Sequence, residues 1–137
     1  MSDTLPTDSS GYELPPLVAV DLDGTLAEIR ENEPYDPTRI GEPIMEMVMT
    51  VFNHLHAGNR VCIFTARVDP TRPGWEQAKQ AIERWCFKHF NQVFPVTAIK
   101  SYEIRLFYDD KCAQIVKNTG KRIDGQDGST DLELPQL

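Results

Sequence analysis

The sequence is short of basic charge, of paired cysteines and of long apolar runs. Fourteen Lys and Arg stand against 21 Asp and Glu, a formal net charge of -7. That balance argues against a surface built to neutralise a nucleic-acid backbone over many phosphates, while leaving room for a local basic patch. Cys62, Cys86 and Cys112 lie far apart and form no CxxC pair. Each falls in a segment with strand or helix pattern, so all three are expected as reduced core residues, which fits a cytoplasmic protein. No apolar run approaches the ~20 residues that a membrane-spanning helix needs, and Met1–Ser10 has neither the basic nor the apolar region of a signal peptide. What is present is one core's worth of material: 137 residues, 40 % of them apolar, enough for a single domain and too few for a second.

The apolar pattern alternates between strand and helix. Residues 1–16, rich in Ser, Thr, Asp and Pro, are expected as a flexible arm stopped by Pro15-Pro16, and 124–137 as a flexible acidic tail. Between them, 17–123 is the expected domain. Leu17–Leu22 predicts a strand buried on both faces. Ile44, Met47, Val48, Val51 and Leu55 then recur at helical spacing behind Pro43, and Gly58 ends that helix. Arg60–Thr65 predicts a second strand, and Gly74–Phe90 a second helix with Trp75, Ala78, Ile82, Trp85 and Cys86 on one stripe. Val93–Ile99 and Ile104–Tyr108 predict a third and a fourth strand. Asp110 is placed to cap a third helix over Lys111–Thr119, and Lys121–Ile123 to form a last edge strand. This order predicts an α/β fold: a single doubly wound, Rossmann-like parallel sheet of about five strands with helices on both faces.

Val18-Ala19-Val20-Asp21-Leu22-Asp23-Gly24-Thr25-Leu26 is the most informative stretch. An apolar strand delivers two acids, a glycine and a threonine within five residues. Acids on alternate positions point to one side of a strand and repel each other unless a cation or a shared proton compensates. Ligands of doubly wound sheets bind beyond the carboxyl ends of the strands. Asp21 and Asp23, Thr65 and Arg67, Lys100, and Asp109 and Asp110 all fall at such ends. Carboxylates there suit magnesium, which binds through a few acids plus phosphate oxygens and water. An aspartate in line with phosphorus is also a competent nucleophile. A second acid would protonate the leaving oxygen and then activate water. The two histidines His54 and His56 are two apart on a helix and do not share a face, so they do not form a metal pair.

Asp21-Leu22-Asp23-Gly24-Thr25-Leu26 resembles the first motif of haloacid dehalogenase (HAD) superfamily phosphatases, Phe64-Thr65-Ala66-Arg67 the second, and Leu106-Phe107-Tyr108-Asp109-Asp110 the fourth. The resemblance implies that Asp21 is the nucleophile, Asp23 the general acid/base, Thr65 a phosphoryl ligand and Lys100 the lysine of the third motif, with Lys111 and Lys88 as the other candidates. It implies magnesium held by Asp21, the backbone carbonyl of Asp23, and Asp109, with Asp110 as ligand or close partner. Aspartate at position 23 favours phosphoryl transfer over dehalogenation, because a leaving alkoxide needs a proton and a halide does not. One stretch strains this mapping. Ser101, Tyr102 and Glu103 extend only ~11 Å between the predicted third and fourth strands. Either the third strand is short or the fourth begins nearer Leu106.

Superfamily members usually carry a cap domain, but neither connection here is long enough for one. The chain resembles the capless type, whose open site suits a large phosphate ester or closure by a homo-oligomeric partner. More specifically, Asp23–Ala27 followed by Pro34-Tyr35-Asp36, with Asp109-Asp110-Lys111 later, is similar to the phosphatase domain of phage-type polynucleotide kinase/phosphatase. That implies a nucleotide or polynucleotide end as substrate, with Thr25, Tyr35 and Arg67 near it and Arg67, Arg72, Lys100 and Arg105 as a local positive rim. Two other classes are open to comparison. A signalling receiver domain has its acidic pair first and its lysine last, whereas here the last acids follow Lys100. A catalytically silent metal- or anion-binding module would keep the same groups without turnover.

Overall fold

The computed structural model describes residues 6–30 and 32–132. The element order is β1 (Leu17–Asp21), α1 (Met45–His56), β2 (Arg60–Phe64), a short 3-10 turn (Ala66–Val68), α2 (Trp75–Phe90), β3 (Val96–Thr97) and β4 (Ile104–Tyr108). The strands form one parallel four-stranded sheet in the order β3-β2-β1-β4. The expected α/β class and parallel sheet are therefore present. The strand carrying the acids, β1, sits between two neighbours. Its register pairs Asp21 with Phe64 and Val20 with Tyr108, which brings the residues after Phe64 and Tyr108 level with Asp21.

Strand alternation divides the apolar residues into two faces. Val18, Val20, Val61 and Ile63 join Val48 and Val51 of α1 and Ile82, Trp85 and Cys86 of α2 in the main core. Leu17, Ala19 and Cys62 face the other way and meet Phe64, Ile104 and Phe107. Both helices thus lie on the same face, as right-handed crossovers β1-α1-β2 and β2-α2-β3 in one direction require. The second face carries no helix among the described residues, because the chain returns from β3 to β4 with only residues 98–103 to spend.

That short return settles the strained stretch. From Thr97 to Ile104 the chain crosses three strand spacings, about 14 Å, and retreats about 13 Å along the strands. Seven extended steps reach about 23–25 Å, enough only because β3 stops at Thr97. Pairing on β3 is confined to Val96 and Thr97 rather than the predicted Val93–Ile99. Beyond it, the Thr97 hydroxyl accepts the Ile99 amide (3.0 Å) and turns the chain out of the sheet.

The predicted helix over Lys111–Thr119 does not form. Its residues make turns, and Ile115 pairs with Arg122 as an isolated antiparallel bridge. The Val116 amide donates to the Lys121 carbonyl (2.8 Å) and the Ile123 amide to Gln114 (2.9 Å). Asn118 and Gly120 both have positive φ. Asn-Thr-Gly between Ile115-Val116 and Ile123 is a hairpin signal that outweighs the helical spacing. Asp110 accordingly caps nothing; the Asp109 carboxylate takes the Lys111 amide instead (2.8 Å). The predicted strand at Lys121–Ile123 is reduced to that one bridge, and the sheet has four strands rather than about five.

Cys62 and Cys86 are buried as expected, and burial pushes their thiols up to about 11 and about 12. Cys112 is exposed, a consequence of the missing third helix; its thiol lies 3.3 Å from the Asp109 carbonyl. No helix among the described residues is long and apolar enough to cross a membrane.

Candidate active site

At the carboxyl edge of the sheet the chain leaves β1 through Gly24, whose φ of +86° only glycine adopts without strain. A side chain there would also meet the Asp110 carboxylate, since a Cβ would stand 2.6 Å from Asp110 Oδ2. The turn is closed by its own backbone. The Gly24 amide donates to the Ala27 carbonyl (2.8 Å), and the amides of Thr25, Leu26 and Ala27 all donate to Leu22. These amides are consumed inside the turn and do not face a bound anion.

The tight turn sends Asp21 and Asp23 to different neighbours, contrary to the expectation that alternate acids share one side. Asp21 meets Asp109 and Asp110. One carboxylate oxygen from each of the three lies within 4.8 Å of the others. Burial raises Asp21 from the ordinary value of 3.8 to about 7, with further upward pushes from its hydrogen bond to Asp110 and from the charges of Asp109 and Asp110; only the Leu22 amide pulls down. Thr25, buried beneath them, ties the acids together. Its hydroxyl accepts the Asp110 amide (3.0 Å) and lies 3.1 Å from Asp110 Oδ1 and 3.4 Å from Asp21 Oδ2. A hydroxyl has one proton, so the nearer carboxylate takes it. Thr25 therefore orders the acids.

Asp23 has the opposite surroundings. The Arg67 guanidinium grips it in a fork, Nε to Oδ2 at 2.7 Å and Nη2 to Oδ1 at 2.9 Å. Arg67 is itself buried, and its Nη1 reaches the carbonyls of Asp36 (3.3 Å) and Pro37 (3.5 Å). Thr65, also buried, opens the 3-10 turn by accepting the Arg67 amide on its hydroxyl (3.1 Å), which leaves the hydroxyl proton free to point at the site.

Beside Asp23 opens a cleft of about 490 Å³, lined by Asp23, Arg67, Arg72, Tyr35 and the 28–42 loop; Asp21, Asp109 and Asp110 are not part of its lining. This loop occupies the place where a cap would be inserted, and it contains no helix or strand among its described residues. It is held close: a Cβ on Gly41 would stand 2.0 Å from the Glu28 carbonyl oxygen, and the Trp85 indole of α2 donates to the Gly41 carbonyl (3.0 Å). The Tyr35 ring sits under two guanidinium carbons, Arg67 at 5.1 Å and Arg72 at 3.8 Å from its centroid.

Lys100 is not brought to the acids by any hydrogen bond or ion pair among the described residues. Its ammonium lies 5.3 Å from the Phe107 ring centroid, on the second face of the sheet. Phe107 pairs with Ala19, and Ala19 and Asp21 point to the same face by strand alternation, so Lys100 stands on the Asp21 side of the sheet.

Residues 15–118 match the family described as polynucleotide kinase PNKP phosphatase domain. The chain belongs to that family, within the HAD superfamily. No curated protein and no solved structure matches it significantly. Family membership makes the protein a phosphatase, a hydrolase of phosphate monoesters, and the motifs at Asp21–Leu26, Phe64–Arg67 and Leu106–Asp110 all lie inside the matched span. The sequence alone missed two features of this family member's site: the fork between Asp23 and Arg67, and Thr25 as the tie between acids. The fork joins residues 44 apart and depends on the β1–β2 register, which no local pattern encodes. Thr25 had a signal, since a threonine four residues after Asp21 in a closed turn must return toward the strand end.

Proposed function

We propose that the protein is a magnesium-dependent phosphomonoesterase that works through an aspartyl-phosphate on Asp21 and removes phosphate from a nucleotide or polynucleotide end. The observation that carries this reading is the convergence of Asp21, Asp109 and Asp110 at the carboxyl edge of the sheet, in a chain of this family. All the converging atoms are hard carboxylate oxygens, and the burial and mutual repulsion that raise Asp21 are relieved by a divalent cation. The donor set therefore fits magnesium, which prefers a few carboxylates with water and phosphate completing its shell. Asp21, Asp109 and Asp110 would hold it, with the Asp23 carbonyl as a further oxygen. When bound it neutralises charge on the phosphoryl oxygens.

The chain's own residues then divide the work. As the Arg67 fork opens, Asp23 takes up a proton from water; an Asp21 carboxylate oxygen then attacks phosphorus, and the ester P–O bond breaks as Asp23 gives that proton to the leaving oxygen. Asp23 next takes a proton from water, whose oxygen attacks phosphorus; the Asp21–phosphorus bond breaks, and free phosphate and the Asp21 carboxylate are regenerated. Both Asp23 oxygens are engaged by Arg67, so the fork opens during the cycle. The same planar fork suits phosphate oxygens, which gives Arg67 a partner on the substrate when it releases Asp23. The Thr65 hydroxyl donates to a phosphoryl oxygen, and Lys100 swings from the Phe107 ring to supply a further positive charge. Tyr35, half-exposed in the cleft, meets the body of the substrate.

Hydrolysis of p-nitrophenyl phosphate by the purified protein, with and without magnesium, tests the reading, together with radiolabelled substrate quenched in acid. Magnesium-dependent turnover, a labelled protein intermediate and a loss on the order of a thousandfold in Asp21→Asn are expected. Full activity in Asp21→Asn with deamidation excluded sinks it. A 3'-phosphorylated oligonucleotide should be hydrolysed with higher kcat/KM than small esters; equal, feeble rates on both would remove the polynucleotide-end part.

A further inference from the structure

The cleft beside Asp23 is lined by four arginines, and their commitments differ. Arg39 pairs with Glu33 (3.1 Å) and also donates to the Pro34 carbonyl. Arg30 shares the same glutamate at 3.6 Å. Arg67 is taken by Asp23. Arg72 alone among these four makes no ion pair and no side-chain hydrogen bond among the described residues. The carboxylate whose charge it feels, Asp69, makes no ion pair with it and is engaged in its own turn: Asp69 Oδ1 accepts both the amide (2.9 Å) and the hydroxyl (2.8 Å) of Thr71.

The Arg72 side chain is nevertheless placed. Its guanidinium carbon lies 3.8 Å from the centroid of Tyr35, which Arg67 also approaches, at 5.1 Å. Stacking on a ring uses the flat face of a guanidinium and none of its five N–H donors, which radiate in the plane. Arg72 thus has a fixed orientation and an unspent fork of donors, partly shielded from water. Tyr35 connects it to Arg67, and Arg67 connects it to the acid/base Asp23.

We propose that Arg72, oriented by Tyr35, is a second anion site that binds a phosphate of the substrate other than the one removed, and so sets a preference for esters carrying two or more phosphates. This rests on the phosphatase reading above and narrows it to a substrate class: a nucleoside bisphosphate or a phosphorylated oligonucleotide. In both, the recognised group is a phosphate oxyanion held by a guanidinium fork. A monophosphate occupies the acid site and leaves Arg72 unused.

The test compares a nucleoside 3'-monophosphate, the matching 3',5'-bisphosphate and a 3'-phosphorylated trinucleotide with unmodified 5' end, on the full chain and on Arg72→Gln and Arg72→Lys. The wild-type protein should favour at least one substrate carrying a further phosphate over the monophosphate by about tenfold in kcat/KM, the worth of one charge-assisted contact. Arg72→Gln should bring that ratio close to one, and Arg72→Lys should restore part of it. The salt dependence of KM for the trinucleotide should flatten by about one contact. An advantage confined to the bisphosphate identifies a terminal phosphate; one shared with the trinucleotide identifies the phosphodiester of a chain. A wild-type ratio near one, or a ratio that Arg72→Gln leaves untouched, overturns the proposal while leaving the phosphatase reading intact. Should no ester be hydrolysed, the phosphatase reading fails, and calorimetric binding of the bisphosphate against the monophosphate, in wild type and Arg72→Gln, decides the second site by the same ratio.

Discussion

Asp21 and Asp23 are two residues apart and of the same chemistry, yet they stand in opposite electrostatic surroundings. Asp21 faces two further acids with no cationic side chain paired to it among the described residues, and its carboxyl is raised to about 7. Asp23 faces a buried guanidinium that meets both its oxygens. What separates them is the end of β1: Asp21 is the last residue of the strand, and Asp23 already stands inside the turn that closes on the Leu22 carbonyl. The difference teaches which positive charge each acid has to hand: one is supplied within the fold, and the other, on the reading proposed above, by a bound cation. On this reading a pair of equal acids in the sequence becomes a nucleophile waiting for metal and a proton carrier held in reserve.

The strongest way to break the comparison is to remove the cation that the fold supplies. Arg67→Met should lower kcat/KM by about a hundredfold, because the substrate loses its fork and Asp23 loses its orientation. It should also cost about 2 kcal/mol in denaturant unfolding, less than a fully buried pair because the Asp23 side chain is 31 % exposed. Arg67→Lys keeps the charge without the fork and should recover stability more than turnover. Turnover in Arg67→Met equal to wild type would mean that Asp23 needs no holding at all.

The next lever is the turn itself. Gly24→Ala forces a side chain into positive φ and into contact with Asp110, at about 1–2 kcal/mol for the backbone alone. Asp110 has to move, so magnesium affinity measured by activity against metal concentration should weaken by roughly thirtyfold, with kcat at saturating magnesium much less affected. An unshifted magnesium curve would show that Asp110 does not depend on the geometry of this turn.

How much of this was legible in the sequence follows from the range of each interaction. The strand ends carry their chemistry locally: a strand-patterned run followed by Asp21, by Thr65 or by Asp109 places each at one edge of a parallel sheet, and the observed register does bring Asp21 beside the Asp109-Asp110 pair. Spacing also identifies α1 and α2, because their apolar stripes face one core. Lys111–Thr119 misled because helical spacing and hairpin chemistry coexist in the same residues, and Asn118 and Gly120 decide between them. The Asp23–Arg67 fork and the Arg72–Tyr35 stack were not legible. They join residues from a loop, a turn and a strand end, and side-chain partners across such distances are set by the finished fold.

The smallest effect expected sharpens the other half of the comparison, the acid surrounded by acids. Asp21 is raised from 3.8 to about 7, so between those values the folded protein holds a proton that the unfolded chain has released. Stability therefore falls as pH rises through that window and levels off above about 7. A shift of this size is worth about 4 kcal/mol in full; partial exposure of Asp21 reduces it to about 1–2 kcal/mol, or roughly 5 °C in melting temperature. Magnesium binds the ionised acid, so its stabilisation should grow over the same window: small at pH 5, and at pH 8 large enough to restore what was lost. Thermal melts at the two pH values, with chelator or with magnesium, check this. Asp21→Asn should flatten the pH dependence in chelator and remove most of the magnesium gain at pH 8. If wild type gains as much from magnesium at pH 5 as at pH 8, the repulsion among the three carboxylates is not what the metal relieves.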